Sequence, residues 1–434
     1  MRRVLAVVWA ILACVAGPLA AQEFTTLKGH GGPIMALAVS PEGNVASASF
    51  DNSVGLWSGQ EPHWLEGHDA AVSAVAFGPG DVLVSGGDDF AVRLWTPDTR
   101  VLGHHEGKVS ALAVSPDGQH VVSGSWDGSI QLWPVAASGQ GLLIDRPGSG
   151  VNTLGFSADG AYLYAGTTDG ALIRYDLVGG SAPFPMVQHG FGINELVVGT
   201  GWVAYGAVDG GTRVVDAQTG DAIADFTLDR RPILAMDWHA ETGQIAVGDG
   251  QGYIMMLDTN AWRIVSDTRA TRQGPVWALA FSTDGAIIHA GGLDDVVYAW
   301  PVATLDQFGE SMGQTERAFL RDPATMSNGE RQFMRKCSIC HALTDAPSRK
   351  AGPSLFGVFG RAAGSVDGYA YSDTLSGSPI VWDDDTIDAL FDQGPDHYIP
   401  GSKMPMQVIT KPQDRADLIA FMKEATGAAE AGEN

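Results

Sequence analysis

The chain has 434 residues, 56 of them glycine and 12 tryptophan, with 26 basic against 50 acidic side chains and a formal charge of −24. That length holds two to three domains, or a large repeat array with an appendage, and buries substantial cores without disulfide staples. The acidity excludes nucleic-acid binding and attachment to an anionic membrane surface, which need basic surface, and a 45% hydrophobic content excludes an acidic disordered chain.

Arg2 and Arg3 precede an apolar run, Val4 to Val15, too short to span a bilayer comfortably. Small residues follow at Gly17, Ala20 and Ala21. This layout predicts a cleavable export signal over residues 1–21 and a periplasmic protein with no membrane span. In a second reading Cys14 is the lipidated residue of a lipoprotein signal, although Leu12 is unusual two positions before it. Cleavage leaves Cys337 and Cys340, three apart, which form no ordinary disulfide framework.

Residues 22–310 carry an internal repeat. Trp57, Trp95, Trp133, Tyr175, Val215, Leu257 and Trp300 close seven segments at spacings of 38 to 43 residues. Six residues before them stand Asp51, Asp89, Asp127, Asp169, Asp209, Gln251 and Asp294. Apolar alternations such as IMALAVS and VSALAVS open each segment, and His30, His68, His105 and His189 lie four residues ahead of four of them. PEGN, PDG and TDG mark turns. A group recurring with the repeat reads as structural, because a catalytic group appears once.

This pattern resembles the WD40 family over about 280 residues. The resemblance implies a seven-bladed β-propeller, each blade a four-stranded sheet, with Glu23 to Gly29 supplying the outer strand of the last blade. It also implies a hydrogen-bonded tetrad that includes the His, the Asp and the terminal Trp. Blades four to six lack the Trp and are expected to pack less regularly. Such propellers usually present docking surfaces, and no phosphate loop or serine elbow is visible. Residues 22–315 hold 12 basic and 33 acidic side chains, so the propeller carries most of the charge. It reads first as a solvated surface and second as a field that steers a basic partner.

Residues 311–325 are a linker in which ERAFL suggests a short helix, and residues 427–434 form a small acidic tail expected to be disordered. Between them, Cys337-Ser338-Ile339-Cys340-His341 is the c-type haem attachment pattern. Two thiols one helical turn apart suit addition to two vinyl groups, and the adjacent imidazole faces the iron. A CxxC pair alone also suits zinc or a redox dithiol. Zinc needs two further ligands, no second Cys pair exists, and no βαβ pattern surrounds the pair. Downstream, a Pro400-Gly401 turn presents Met404, a soft thioether donor, as the second axial ligand, with Met406 as a competitor.

Residues 326–426 resemble mitochondrial-type class I cytochrome c, through KAGPSLFGVFGR, GYAYSDTL, IVW, YIPGSKM and RADLIAFMKEAT in family order. The resemblance implies a small all-α domain of three helices around one haem c, with Gly329 and Phe333 meeting Leu418 and Phe421 where the terminal helices cross. It implies that the Pro353 carbonyl accepts from His341. It places Arg361, Tyr371 and Trp382 at the haem propionates and Ser402 near a propionate or buried water. Leu375 departs from a small polar residue, and Leu390 or Phe391 stands for a buried tyrosine. The family's lysine ring is reduced to Lys336, Lys350 and Lys403.

The function expected is periplasmic electron transfer by a His/Met haem c, with the propeller docking or holding a redox partner. The alternative is an oxidoreductase whose propeller carries an active site that feeds the haem. That reading needs His63, His104, His120, His239 and His289, which fall outside the tetrad pattern, to converge on one face. A third is a haem sensor with a labile Met404.

Overall fold

A computed structural model describes residues 24–136, 141–228, 232–271, 274–307, 325–346, 348–404 and 407–427. The expected signal segment, Cys14, most of the linker with its ERAFL helix, the tail and Met406 lie outside the described residues.

Among the described residues, seven four-stranded antiparallel sheets follow one another as the repeat predicts, at 34–66, 72–104, 109–145, 151–188, 193–225, 233–269 and 276–301. The seventh sheet has three strands of its own. Thr25–Lys28, from just before blade one, adds the fourth, pairing Leu27 with Val297 and so closing the ring. A sheet that buries both faces against its neighbours reads as a nearly continuous apolar run. Val45–Ser49 and Val82–Gly87 are accordingly buried throughout.

Every inner strand bulges once, at Met35, Ser73, Ser110, Asn152, Asn194, Leu234 and Trp277. An extra residue in a ladder re-aims its side chain. Here it spans adjacent blades: Ser73 donates to the Val109 carbonyl (2.7 Å) and Ser110 to that of Val151. Asn152 donates to Ile193 (3.0 Å) and Asn194 to Ile233 (2.8 Å). Leu234, Trp277 and Met35 complete the circle with apolar side chains.

The recurrent His and Asp are structural. In blade one His30 Nδ1 meets Asp51 at 2.9 Å, His30 Nε2 meets Ser47 Oγ at 2.7 Å, and Trp57 Nε1 donates to the same hydroxyl at 2.8 Å. Blade two repeats this with His68, Asp89, Ser85 and Trp95. In blade three Ser123 joins His105 to Trp133. The serine is the fourth member, ten residues before each Trp.

The expected irregularity of blades four to six is not seen in their strand number, because other bonds replace the missing ones. In blade four Thr167 and Ser149 both donate to Asp169, and Tyr175 donates to Asp145. In blade five Arg213 joins the His189–Asp209 pair. Blade six buries Leu257 among Trp202, Ile245 and Met255.

The C-terminal module is helical: α1 (Asn328–Lys336), α2 (Asp384–Gln393), the single turn α3 (Pro395–Tyr398) and α4 (Pro412–Ala425). Ser327 caps α1 by accepting from Glu330 N–H, and Asp383 with Thr386 forms a capping box on α2. Helices α1 and α4 cross at Gly329, where a Cβ would lie 2.0 Å from the Asp417 carbonyl oxygen. Phe333 and Phe421 pack beside it with ring centroids 5.7 Å apart and planes tilted by 47°, and Leu418 is fully buried. Arg415 joins α4 to α2 through Asp388 and Asp392, at 2.7 and 2.8 Å.

Candidate haem site

Cys337 ends α1, and the chain turns at once: the Cys340 and His341 amides both donate to the Cys337 carbonyl, at 3.0 and 2.9 Å. The two thiols and the imidazole thereby share one short turn at the wall of a cavity of about 350 Å³. Burial pushes the Cys337 thiol up to about 12 and raises Cys340. Burial also lowers His341, which favours the neutral ring, and its Nδ1 donates to the Pro353 carbonyl at 2.8 Å. The second ring nitrogen keeps its lone pair for a ligand.

All nine residues singled out in the sequence line this cavity. Met404 reaches it from the loop after α3, its amide donating to Ser402 Oγ at 3.1 Å. That loop is fixed by Thr374, which donates to the Pro400 carbonyl, and by Gln407, which donates to the Lys336 carbonyl at the end of α1. Arg361 donates to the carbonyls of Phe356 and Ser354, both at 2.8 Å. Tyr371 accepts from the Val366 amide, and Trp382 packs on the core. Leu375, Leu390 and Phe391 make the rest of the wall apolar.

The residues present fit a covalently attached haem c. The donor set is two thiols, an imidazole oriented by a carbonyl and a thioether, converging on one apolar chamber. Two buried polar atoms of the lining, Ser372 Oγ and Gln407 Oε1, have no hydrogen-bond partner among the described residues.

Other parts of the lining were not legible in the sequence. Tyr369 lines the chamber and donates to the Ala351 carbonyl at 2.7 Å. Phe50, Asn52, Asp69, Ala70, Ala71 and Asp88 of the propeller line the same chamber. No periodic signal marks them, because they occupy ordinary turn positions of blades one and two.

The propeller histidines outside the tetrads sit in different blades: His63 in the first, His104 in the second, His120 in the third, His239 in the sixth and His289 in the seventh. Among the described residues no three of His, Cys, Asp and Glu gather as metal ligands would. No described helix is long and apolar enough to cross a membrane.

Fold and site define a seven-bladed WD40 propeller joined to a c-type haem domain. The WD domain, G-beta repeat family matches residues 21–58, 59–96, 97–134 and 266–301, the blades that end in Trp, and the Cytochrome c family matches residues 326–426. The chain is 43% identical to cytochrome c of Sesamum indicum over 105 residues, which is 24% of this chain and 93% of that protein. It is 48% identical to cytochrome c of Theileria annulata over 105 residues (24% and 87%) and 44% identical to that of Arabidopsis thaliana over 98 residues (23% and 87%). Through this C-terminal module the chain belongs to the cytochrome c family.

Proposed function

We propose that the protein is an exported, periplasmic electron carrier whose propeller docks a redox partner beside the haem. When bound, haem c supplies a one-electron ferric/ferrous couple. Cys337 and Cys340 would hold the group covalently, and His341 and Met404 would ligate its iron. The Pro353 carbonyl holds the His341 ring in one tautomer and raises its basicity. Arg361, Tyr371 and Trp382 would meet the propionates, whose burial needs donors. The apolar wall excludes water and favours the ferrous state, which carries less charge.

The observation that carries this reading is the convergence of His341 and Met404 on the chamber bounded by the two cysteines. With His341 and Met404 both ligating, no position on the iron would be left for a substrate. Export is supported by the Arg2-Arg3 and Val4–Val15 pattern. Met404→Ala should abolish the low-spin His/Met spectrum while the haem stays attached. A Met404→Ala protein with an unaltered spectrum, or a Met406→Ala protein that has lost it, overturns the ligand assignment.

A further inference from the structure

The haem module lies directly on the propeller. Arg349 Nη2 meets Glu66 Oε1 at 2.7 Å, and its guanidinium stands 4.2 Å from the ring centroid of Trp64. Lys403 Nζ meets Asp69 Oδ1 at 2.7 Å. Lys350 Nζ donates to the Gly31 carbonyl at 3.3 Å while also donating to Ser338, next to the first thiol, at 2.8 Å. Backbones touch as well: a Cβ on Gly31 would lie 2.2 Å from the Arg349 carbonyl carbon and 2.5 Å from Lys350 N. Gly31 follows the tetrad His of blade one, where blades two and three carry Asp69 and Glu106. Any larger residue there would hold the module off.

We propose that the rim of blades one and two is the outer wall of the haem crevice. Phe50, Asn52 and the 69–71 turn close it, and Glu66 and Asp69 hold the closure by engaging Arg349 and Lys403. The propeller residues are positioning residues, acting on the haem by shaping its surroundings. Two of the three lysines kept from the basic ring, Lys350 and Lys403, are thus engaged by the chain's own propeller. Each ion pair is a partly exposed contact of modest worth and is screened by salt. The closure is therefore tightest at low ionic strength. The inference rests on the haem occupying the chamber, as proposed above.

The test uses the full-length holoprotein in three variants. Glu66→Lys with Asp69→Lys reverses the acidic side, and the same pair combined with Arg349→Glu and Lys403→Glu swaps the charges back into register. Gly31→Leu wedges the interface without changing charge. The readouts are the haem midpoint potential, the rate of reduction by ascorbate as a function of salt, and amide exchange at residues 31–32 and 349–350. The wedge, which leaves the charge unchanged, should lower the potential by admitting water, speed reduction several-fold and flatten its salt dependence, and both the reversal and the wedge should deprotect both segments. The four-fold swap should restore the parent values. Unchanged potential and rate in the wedge, or unchanged exchange in both the reversal and the wedge, with covalent haem and its spectrum intact, would overturn the inference alone. A parent chain without covalent haem would overturn the underlying reading, and this one with it.

Discussion

Asp51 is bound from four sides but is organised around one neighbour, His30, whose Nδ1 donates to its carboxylate at 2.9 Å inside blade one. Burial opposes its ionisation, yet the His30 ring, Ser53 and the Gly31 amide outweigh that and hold Asp51 below the usual carboxylate range. Its folded value lies below its unfolded one, so its stabilisation is present above about pH 4 and is lost as the pH falls through the folded value. Asp51→Ala strands four donors, His30 Nδ1, the Gly31 and Ser53 amides and the Ser53 hydroxyl, and should cost about 3 kcal/mol. The more exposed Asp169→Ala, in a blade without the His, should cost about 1 kcal/mol. Urea unfolding followed by tryptophan fluorescence ranks the two, and the reverse order would contradict the tetrad's role.

Glu195 stands where the inner strands of blades one, two, three, six and seven carry alanine. It lines the central channel with Asn152 and Ser110. Burial pushes its carboxyl up to about 8, with the Thr153 hydroxyl a partial offset. The folded value is raised, so the stabilisation is present below about pH 4.5 and is lost as the pH rises through 8. Glu195→Gln should therefore raise the melting temperature at pH 9 and leave it nearly unchanged at pH 4.5. A benefit on the order of 2 kcal/mol at the alkaline end is expected once channel water is allowed for. Equal melting temperatures at pH 9 would mean that the carboxylate is already well solvated.

Gly329→Val places a branched side chain against the Asp417 carbonyl. It should separate α1 from α4 and cost about 3 kcal/mol in the haem module. Thermal unfolding followed by the visible haem absorbance should shift down while the propeller transition stays in place. A coincident fall of both transitions would show that the modules unfold as one.

Cys337→Ala with Cys340→Ala removes both thiols while keeping His341 and its bond to Pro353. The protein should lose all haem that survives acid-acetone extraction. Haem that resists extraction from this variant would refute covalent attachment at these residues.

Much of this was legible in the residues because their signals are local or periodic. The 38–43 residue spacing gave the blades, since each must stack on a copy of itself. The CxxCH turn and the Met404 loop were readable because haem attachment demands fixed residue types close in sequence. The tetrad serines were missed although Ser47, Ser85 and Ser123 recur ten residues before Trp, because serine is common in strands. The compensation by Arg213 in blade five was invisible, since a long side chain reaching from the middle of its blade carries no repeat signature. The contact of Arg349 with Trp64 and Glu66 joins residues almost 300 positions apart, and only the folded ring brings them together.

The strand that closes the ring also brings its last blade beside its first. Blade seven receives Thr25–Lys28 on its outside, ends at Pro301 and is followed by the turn Val302–Gln307, whose Leu305 is buried in the propeller core. The haem module rests on blades one and two, immediately around the circle from blade seven. The end of blade seven and the docked contacts on blades one and two are neighbours in one chain, so those contacts form at an intramolecular effective concentration rather than in a bimolecular encounter. Under that condition, contacts each worth less than about 1 kcal/mol in isolation can keep the two modules together. The same ring can be completed only once its last blade is present, because the partner of Leu27 is Val297.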